Sequence, residues 1–218
     1  SSKRYEYALS LGGAGLFEKR HEGGPTNYDT MEQLWKTTFE TDEFQKSIAV
    51  DRMMIEDQDF LGIRQIAENM GMNASRTMRQ HAANIFNNAF SSSYVGGDAV
   101  ALCSASHPLD KDASATGDNL GSTALSYDAL KAVRIEMRKF KDARNKPIAV
   151  VPDTLVVGVD LEETANAIAA SIAKPGTGNN DANFFKGLNV ISDPYISSST
   201  DWFLVDSVQA KSQLLMFS

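Results

Sequence analysis

The sequence predicts an α+β fold in which an extended arm precedes one helix that is much longer than the others. Three observations lead to this prediction: a glycine-rich, strand-like composition up to about residue 54, a stripe of apolar residues at helical spacing over about residues 60–90, and short strands alternating with helices after it. The chain has 218 residues, of which 42% are hydrophobic and 22% charged. This composition is ordinary for a globular domain and suffices for one core.

The arm is predicted over residues 1–54. Its glycines cluster between Gly12 and Gly24, a pattern typical of turns. The segments Tyr5–Leu11 and Leu34–Val50 have strand-like composition and predict a β-ribbon. A two-stranded ribbon with few bulky apolar residues is not stable alone in water, so we expect the arm to pack on neighbouring copies of the same chain.

The strongest helical pattern follows the arm. Asp57 or Asp59 is expected to cap its start, and Gly71 is a point at which the helix could bend or split. A continuous helix over about residues 60–90 would be about 45 Å long, which is more than a compact domain of this size needs, and so it predicts a spine. The apolar stripe consists of Phe60, Ile63, Ala67, Met70, Ala74, Met78, His81, Ile85 and Ala89.

The rest of the chain is predicted to alternate helices and strands around polar loops. Ser126 is a good N-cap for a second helix, and Asp160 with Glu163 resembles a capping box for a third. The apolar segment Gln213–Ser218 predicts a final strand, and we expect the natural chain to continue beyond it. In order, the predicted elements are a turn at Gly96–Asp98, a polar loop over 104–124, a second helix from Ser126 that ends in a basic turn before Pro147, strands over Ile148–Val151 and Leu155–Val159, a third helix ending before Lys174, a polar loop over Gly176–Asn183, and strands over Leu188–Ser192 and Trp202–Asp206.

Charge and cysteine content exclude several classes of protein. The net charge of −7 argues against a nucleic-acid binder, which would carry a basic surface. No apolar run approaches the ~20 residues that span a bilayer, so no membrane partner is expected. Cys103 is the single cysteine, so an internal disulfide is excluded, and its apolar neighbours favour a packing role.

No catalytic residue, cofactor or metal site is predicted. The three histidines fall in the arm, the long helix and a loop, without the spacing of a metal site. Ser104 or Ser106 with His107 and Asp110 could be read as a catalytic triad, but they lie too close in sequence for its geometry, which is built from separate loops. The glycines at Gly12–Gly15 lack the residues of a phosphate-binding loop, and the Asn73 sequon falls inside the long helix. An enzyme is therefore not expected, and a soluble hydrolase is the least favoured alternative.

An ordered set of short motifs carries a resemblance to a known family. The set covers most of the chain, and its specificity lies in the order of its members. The motifs are Ile55–Glu56–Asp57, Asn87–Phe90, Gly96–Asp98, Ala101–Ser104, Ser106–Leu109, Asn119–Leu120, Leu125–Ser126, Pro147–Ile148, Pro152, Leu155–Val157, Pro175–Gly176 and Asn180–Asp181. This set resembles the major capsid proteins of tailed bacteriophages with the HK97 fold, in particular the Mu-like branch of major head subunits.

The resemblance implies a domain organisation. Residues 1–54 would be the amino-terminal segment and the E-loop, an arm over about residues 14–50 that lies on a neighbouring subunit. Residues 55–95 would form the peripheral domain with its spine helix, and residues 96–205 the axial domain with its tip near Pro175–Asn183. Residues 206–218 would return to the peripheral domain, which relatives complete with further strands.

The resemblance also implies a function. Copies of the chain would assemble as hexamers and pentamers into the icosahedral head shell of a phage, in the cytoplasm of the host bacterium. The shell would enclose double-stranded genomic DNA without sequence-specific binding, and portal, scaffold and decoration proteins would be further partners. An encapsulin-like nanocompartment shell is the alternative, since it shares the fold and differs in its cargo.

Subunit contacts are then the functional residues. As a hypothesis, the acidic arm residues Glu40, Asp42 and Glu43 meet basic groups of a neighbour, for which Arg52, Arg76 and Arg79 are candidates. Aromatic side chains are better candidates for the energetic centre of the contact, and the arm offers Trp35, Phe39 and Phe44.

Overall fold

The computed structural model describes residues 5–12, 19, 22–23, 28–29, 33–56, 60–176, 178 and 181–214. Within them the fold mixes helices and short strands, as the α+β prediction requires. The elements are β1 Tyr5–Leu11, β2 Gln33–Glu40, α1 Arg52–Glu56, α2 Phe60–Asn87, β3 His107–Pro108, β4 Thr116–Gly117, α3 Tyr127–Met137, β5 Thr154–Val157, a 3₁₀ turn Val159–Leu161, α4 Glu162–Ala170, β6 Asn189–Ser192, β7 Trp202–Val205 and α5 Ser207–Leu214.

The arm contains the predicted hairpin. Strand β1 pairs antiparallel with β2, from Tyr5 opposite Glu40 to Leu11 opposite Gln33, with an irregularity between Leu9 and Leu11. The second strand is shorter than the predicted Leu34–Val50. Because the pairing ends where Tyr5 meets Glu40, residues 41–50 continue without strand pairing and are exposed.

Helix α2 runs without interruption through Gly71. A single glycine costs a helix only about 1 kcal/mol relative to alanine, which neighbouring good helix formers can offset. Its 28 residues span about 42 Å at 1.5 Å each. The predicted capping residues Asp57 and Asp59 lie outside the described residues.

The core is built around a three-stranded sheet. Its order is β6-β5-β7, with β5 parallel to β6 and antiparallel to β7. Successive side chains of a strand point to opposite faces, so Leu155 and Val157 pack on one face while Val156 packs on the other. The first face is covered by apolar residues of α3, α4 and the loop after α4, and the second by the end of α2 together with Ile196 and Phe203.

The second predicted helix begins as expected. Ser126 has extended backbone angles, and its hydroxyl accepts a hydrogen bond of 3.2 Å from the Ala129 N–H. The helix ends at Met137, so the basic residues predicted for its last turn, which are Lys139, Lys141 and Arg144, all follow it.

Three local predictions are wrong. Residues Ile148–Val151 form no strand: the Ile148 N–H donates to Phe140 O, and the Val151 N–H donates to Asp206 Oδ2 at 2.8 Å. No capping box opens the third helix, because Asp160 lies inside the 3₁₀ turn and no side chain caps α4. The predicted strand at Gln213 is also replaced, since Gln213 and Leu214 end helix α5, and residues 215–218 lie outside the described part.

Candidate subunit interface

Helix α2 exposes most of the apolar stripe that the sequence predicts. Of its described side chains only Ala83 is buried, and Met78 is 76% exposed. A helix with a wide apolar stripe normally faces a core, so an uncovered stripe of this length indicates a surface that another molecule covers. The exposed large apolar side chains of α2 are Phe60, Leu61, Met72, Met78 and Ile85.

Only the carboxyl end of α2 is anchored to the sheet. The Phe86 and Phe203 rings lie 5.1 Å apart between centroids, and Ala89 just beyond the helix is fully buried. The Asn87 side chain accepts a hydrogen bond from the Ser197 N–H at 2.9 Å and donates to Tyr195 O at 3.0 Å. The anchoring is therefore local, and the exposed apolar side chains lie on the turns that precede it.

The predicted aromatic residues lie in two settings. Trp35 and Phe39 are half-buried on β2 and, four residues apart in a strand, share a face with Thr37. This face lies on the turn at Gly97, where an added Cβ would overlap the Thr37 hydroxyl and approach Trp35 Cβ to 3.3 Å. Phe44 is 63% exposed, and its ring meets the His81 ring edge-on at 5.4 Å.

The charged residues predicted for the interface are exposed and lie apart in this single chain. Arg52 pairs with Glu56 at 2.6 Å, and Arg76 contacts only Asn73 Oδ1 at 3.5 Å. Among the described residues, no ion pair involves Asp42, Glu43 or Arg79. Glu40 is the last residue of β2. The structure thus does not bring the acidic and basic sets together within one copy.

An ion pair also ties the arm to the loop after α3. Arg144, in the loop after α3, donates to Asp29 Oδ2 at 2.7 Å. Its guanidinium pKa is raised by this hydrogen bond and by the nearby Asp29 charge. Among the described residues, the arm therefore touches the rest of its own chain at Gly97, at Arg144 and, through Phe44, at His81.

The residues considered above as a catalytic triad have structural partners instead. His107 Nδ1 lies 2.7 Å from Asp98 Oδ2, and His107 Nε2 faces Leu102 O at 3.2 Å, so the ring is held by structural partners. Asp110 instead accepts hydrogen bonds from Ser114, which lower the pKa of the Asp110 carboxyl. The His107 contacts hold the loop between α2 and β3, and the Asp110 bonds hold the loop between β3 and β4. In the described part of the chain, no group of three His, Cys, Asp or Glu residues is placed to hold a metal ion.

Cys103 packs against the second face of the sheet, beside Phe86 and Phe203. Burial raises the pKa of its thiol, and the negative charge of Asp201 raises it further. Both effects disfavour the reactive thiolate, which agrees with the predicted packing role. No helix among the described residues has the length and apolar character needed to cross a membrane.

The sequence interpretation missed a basic groove of about 400 Å³ between α3 and the loop after α4. Lys131, Arg134 and Arg138 line one side of it and Phe184 the other. The spacing of the three cations, at positions i, i+3 and i+7, was a readable signal of a basic helix face.

Comparison with known proteins identifies the class. The phage capsid protein family matches residues 35–216. A search of curated proteins gives no significant match. The bacteriophage JBD30 capsid matches with a TM-score of 0.69 and 13% identity, over 90% of this chain and 88% of that one. The JBD30 capsid decorated with minor capsid protein trimers matches with a TM-score of 0.65 and 16% identity, over 90% and 87%.

The family match covers well over half of the chain, so this protein belongs to the phage capsid protein family. It is a major capsid protein, a structural subunit of the head shell of a tailed phage. The structural matches, at such low identity, show the shared fold.

Proposed function

We propose that this chain builds its shell in the manner of HK97-like capsid subunits. In this proposal β2 belongs to an E-loop that lies across a neighbouring subunit, and β1 is the part of the amino-terminal segment that pairs with it. Helix α2 is the spine helix of the peripheral domain. The sheet with α3 and α4 belongs to the axial domain, and the loop near residues 175–183 is its tip. The single observation that carries the proposal is the uncovered apolar stripe of α2, which one copy alone leaves in water.

The energetics support assembly. Burial of apolar surface stabilises a contact by roughly 25 cal/mol per Å², and the exposed side chains of α2 and the arm offer this surface only to another copy. The hairpin supports the same conclusion, because a two-stranded ribbon is marginal alone, and the described residues of the arm make few contacts with the rest of the chain. Other copies arranged in hexamers and pentamers would supply the missing cover.

The interface residues follow from the exposed positions. Phe44 and the half-buried Trp35 and Phe39 are proposed as the apolar centre of the contact. Glu40, Asp42 and Glu43 are proposed to meet the neighbour's arginines at its rim. Of these, Arg76 and Arg79 are better placed than Arg52, which already pairs with Glu56. Such rim pairs set the register of the contact more than its strength.

Further partners belong to the same proposal. A solved JBD30 capsid carries minor capsid protein trimers, so decoration proteins are proposed to bind this shell too. Portal and scaffold proteins are proposed as assembly partners, and the host cytoplasm as the place of assembly. The shell would enclose the DNA without binding it tightly, since an acidic protein repels the phosphates.

The proposal is tested by expressing the chain and measuring particle size by sedimentation and electron microscopy. Closed shells are expected, whereas a stable monomer or dimer at high concentration would contradict the proposal. Trp35→Ala with Phe39→Ala is expected to lower shell yield at least about tenfold, since each aromatic anchor contributes 1 kcal/mol or more. Thr38→Ala, an exposed position on the opposite face of β2, is the matched control. Packaged DNA rather than a packaged enzyme would separate a phage head from a nanocompartment.

A further inference from the structure

The walls of the groove between α3 and the loop after α4 are held in place by specific contacts. Phe184 and Phe185 meet edge-to-face at 5.6 Å, and the Arg134 guanidinium carbon lies 4.5 Å from the Phe184 ring centroid. Buried Asn183 fixes this wall, because its amide donates to Ile168 O at 2.6 Å and to Ser171 O at 2.8 Å. Lys174 closes one end of the groove, 3.1 Å from Asp128.

The groove is basic within an acidic protein. Residues 131–146 contain seven Lys and Arg and two acidic residues, a net charge of +5. Since the whole chain carries −7, the remaining residues carry −12. Among the described residues, Lys131, Arg134 and Arg138 form no ion pair. Three cations without counterions on one helix face are therefore open to an anionic partner.

The apolar part of the groove favours a protein partner over DNA. Phe184 is 67% exposed, and Ile135 on α3 is exposed beside it. The backbone of a DNA duplex would neutralise the arginines and leave these apolar side chains uncovered. An acidic protein segment that also carries apolar side chains would pair with the cations and cover the ring.

The same chain carries a complementary surface at the other end of α4. The 3₁₀ turn and the first turn of α4 expose Asp160, Glu163 and the apolar Val159. Among the described residues neither carboxylate forms an ion pair, whereas Glu162 accepts a hydrogen bond from Ser192. Helix α4 has nine residues, so this acidic surface lies about 13 Å along its axis from the end that leads into the groove wall.

We propose that the groove of one subunit receives the 159–163 segment of the next subunit. A basic groove and an acidic, partly apolar projection on different parts of one molecule form a head-to-tail contact, and such contacts close into rings when the rotation allows. This inference rests on the proposed assembly into hexamers and pentamers and names a contact that would hold those rings together. Opposite charges would set the register, and Val159 beside the Phe184 ring would exclude water.

The test is an exchange of charges across the proposed contact. Arg134→Glu with Arg138→Glu is expected to lower the yield of shells at least about tenfold, and Asp160→Arg with Glu163→Arg is expected to do the same. A chain that carries all four changes restores opposite charges across the contact, so it is expected to recover most of the yield. A purely structural role of either set would not produce this recovery. Lys111→Glu with Lys141→Glu, two exposed changes outside the groove, alters the net charge by the same amount and is the control.

The possible outcomes distinguish failure of folding, failure of the proposed function and failure of the groove contact. The thermal melt of unassembled subunits checks folding, and if the Glu variant does not fold, Arg134→Gln with Arg138→Gln replaces it with the same expected loss. Wild-type chains that form no shells would refute the proposed function itself. If the wild type forms shells and the Arg134 and Arg138 variant forms them in equal yield, the groove contact is wrong and the proposed function still stands. If those variant shells also lose affinity for a labelled DNA duplex, the groove binds DNA instead.

Discussion

Two carboxylates, the buried Asp206 and the half-buried Asp153, hold the start of α5 beside the sheet. Asp206 Oδ2 accepts from the Val151 N–H at 2.8 Å, while its Oδ1 accepts from the first N–H groups of α5 at Val208 and Gln209. These bonds, with that of Val151 the strongest cause, lower the pKa of the Asp206 carboxyl. The pKa of the Asp153 carboxyl is lowered likewise, mainly because the Ser207 hydroxyl donates a hydrogen bond to it. The start of α5 and the segment that precedes β5 are thus tied together at one point.

This arrangement predicts a specific acid sensitivity. A carboxyl whose pKa is lowered by folding stabilises the native state above its unfolded pKa, and the contribution is lost as pH falls through the lower folded value. The melting temperature of the wild type should therefore fall steeply below about pH 4. In Asp206→Asn it should be lower at pH 7 and fall less on acidification. Melts of unassembled subunits from about pH 7 to about pH 3 measure this, with Asp112→Asn as the control for surface charge. Parallel curves for wild type and Asp206→Asn would refute the assignment.

At the scale of elements, the strongest periodic signals predicted the structure best. The stripe from Phe60 to Ala89 indicated one long helix, and the helix is present from Phe60 to Asn87. Ser126 indicated a helix start, and its hydroxyl makes the expected cap. Both signals are local, because spacing and capping depend on neighbours within about one turn of helix.

Two of the wrong predictions have an identifiable physical cause. The β-like composition of Ile148–Val151 reflects apolar side chains, but a strand also needs a partner edge, and the Val151 N–H bonds to a carboxylate instead. Asp160 lies in the 3₁₀ turn Val159–Leu161, which the Leu161 N–H closes by donating to Gly158 O, so α4 begins after Asp160. A tertiary contact that the local sequence does not contain decided the first case, and a competing local turn decided the second.

The contact between the arm and its own chain predicts an effect at Gly97. An alanine there would place Cβ against Thr37 and Trp35, so β2 must move away from the turn. Gly97→Ala should therefore speed hydrogen exchange of the β1–β2 amides several-fold, since exchange follows local opening. Thr37→Ala removes the overlapping hydroxyl, so the double variant should exchange more slowly than Gly97→Ala. Equal exchange in Gly97→Ala and the wild type would show that β2 does not rest on this turn.

At the scale of the whole molecule, the distribution of buried surface separates two parts. The sheet with α3 and α4 contains the fully buried side chains Leu130, Leu155 and Val157. The arm and most of α2 contain exposed apolar residues instead. The sequence placed apolar residues on α2 correctly, but periodicity cannot tell a core face from a face that a second copy covers. The groove beside Arg134 was missed for a similar reason, because its two walls are about 50 residues apart in sequence.

The uncovered stripe of α2 makes a prediction that involves the assembled shell. Met78 is 76% exposed in the single chain, so Met78→Glu removes little internal packing and keeps a good helix former. If a neighbouring subunit covers this stripe, the new carboxylate would be buried without a partner and would cost several kcal/mol per contact. Shell yield should then fall at least about tenfold while the melting temperature of the unassembled subunit stays unchanged. Gln80→Glu adds the same charge about 200° around the same helix and should assemble normally. Normal shells from Met78→Glu would show that water, not a neighbour, faces the stripe.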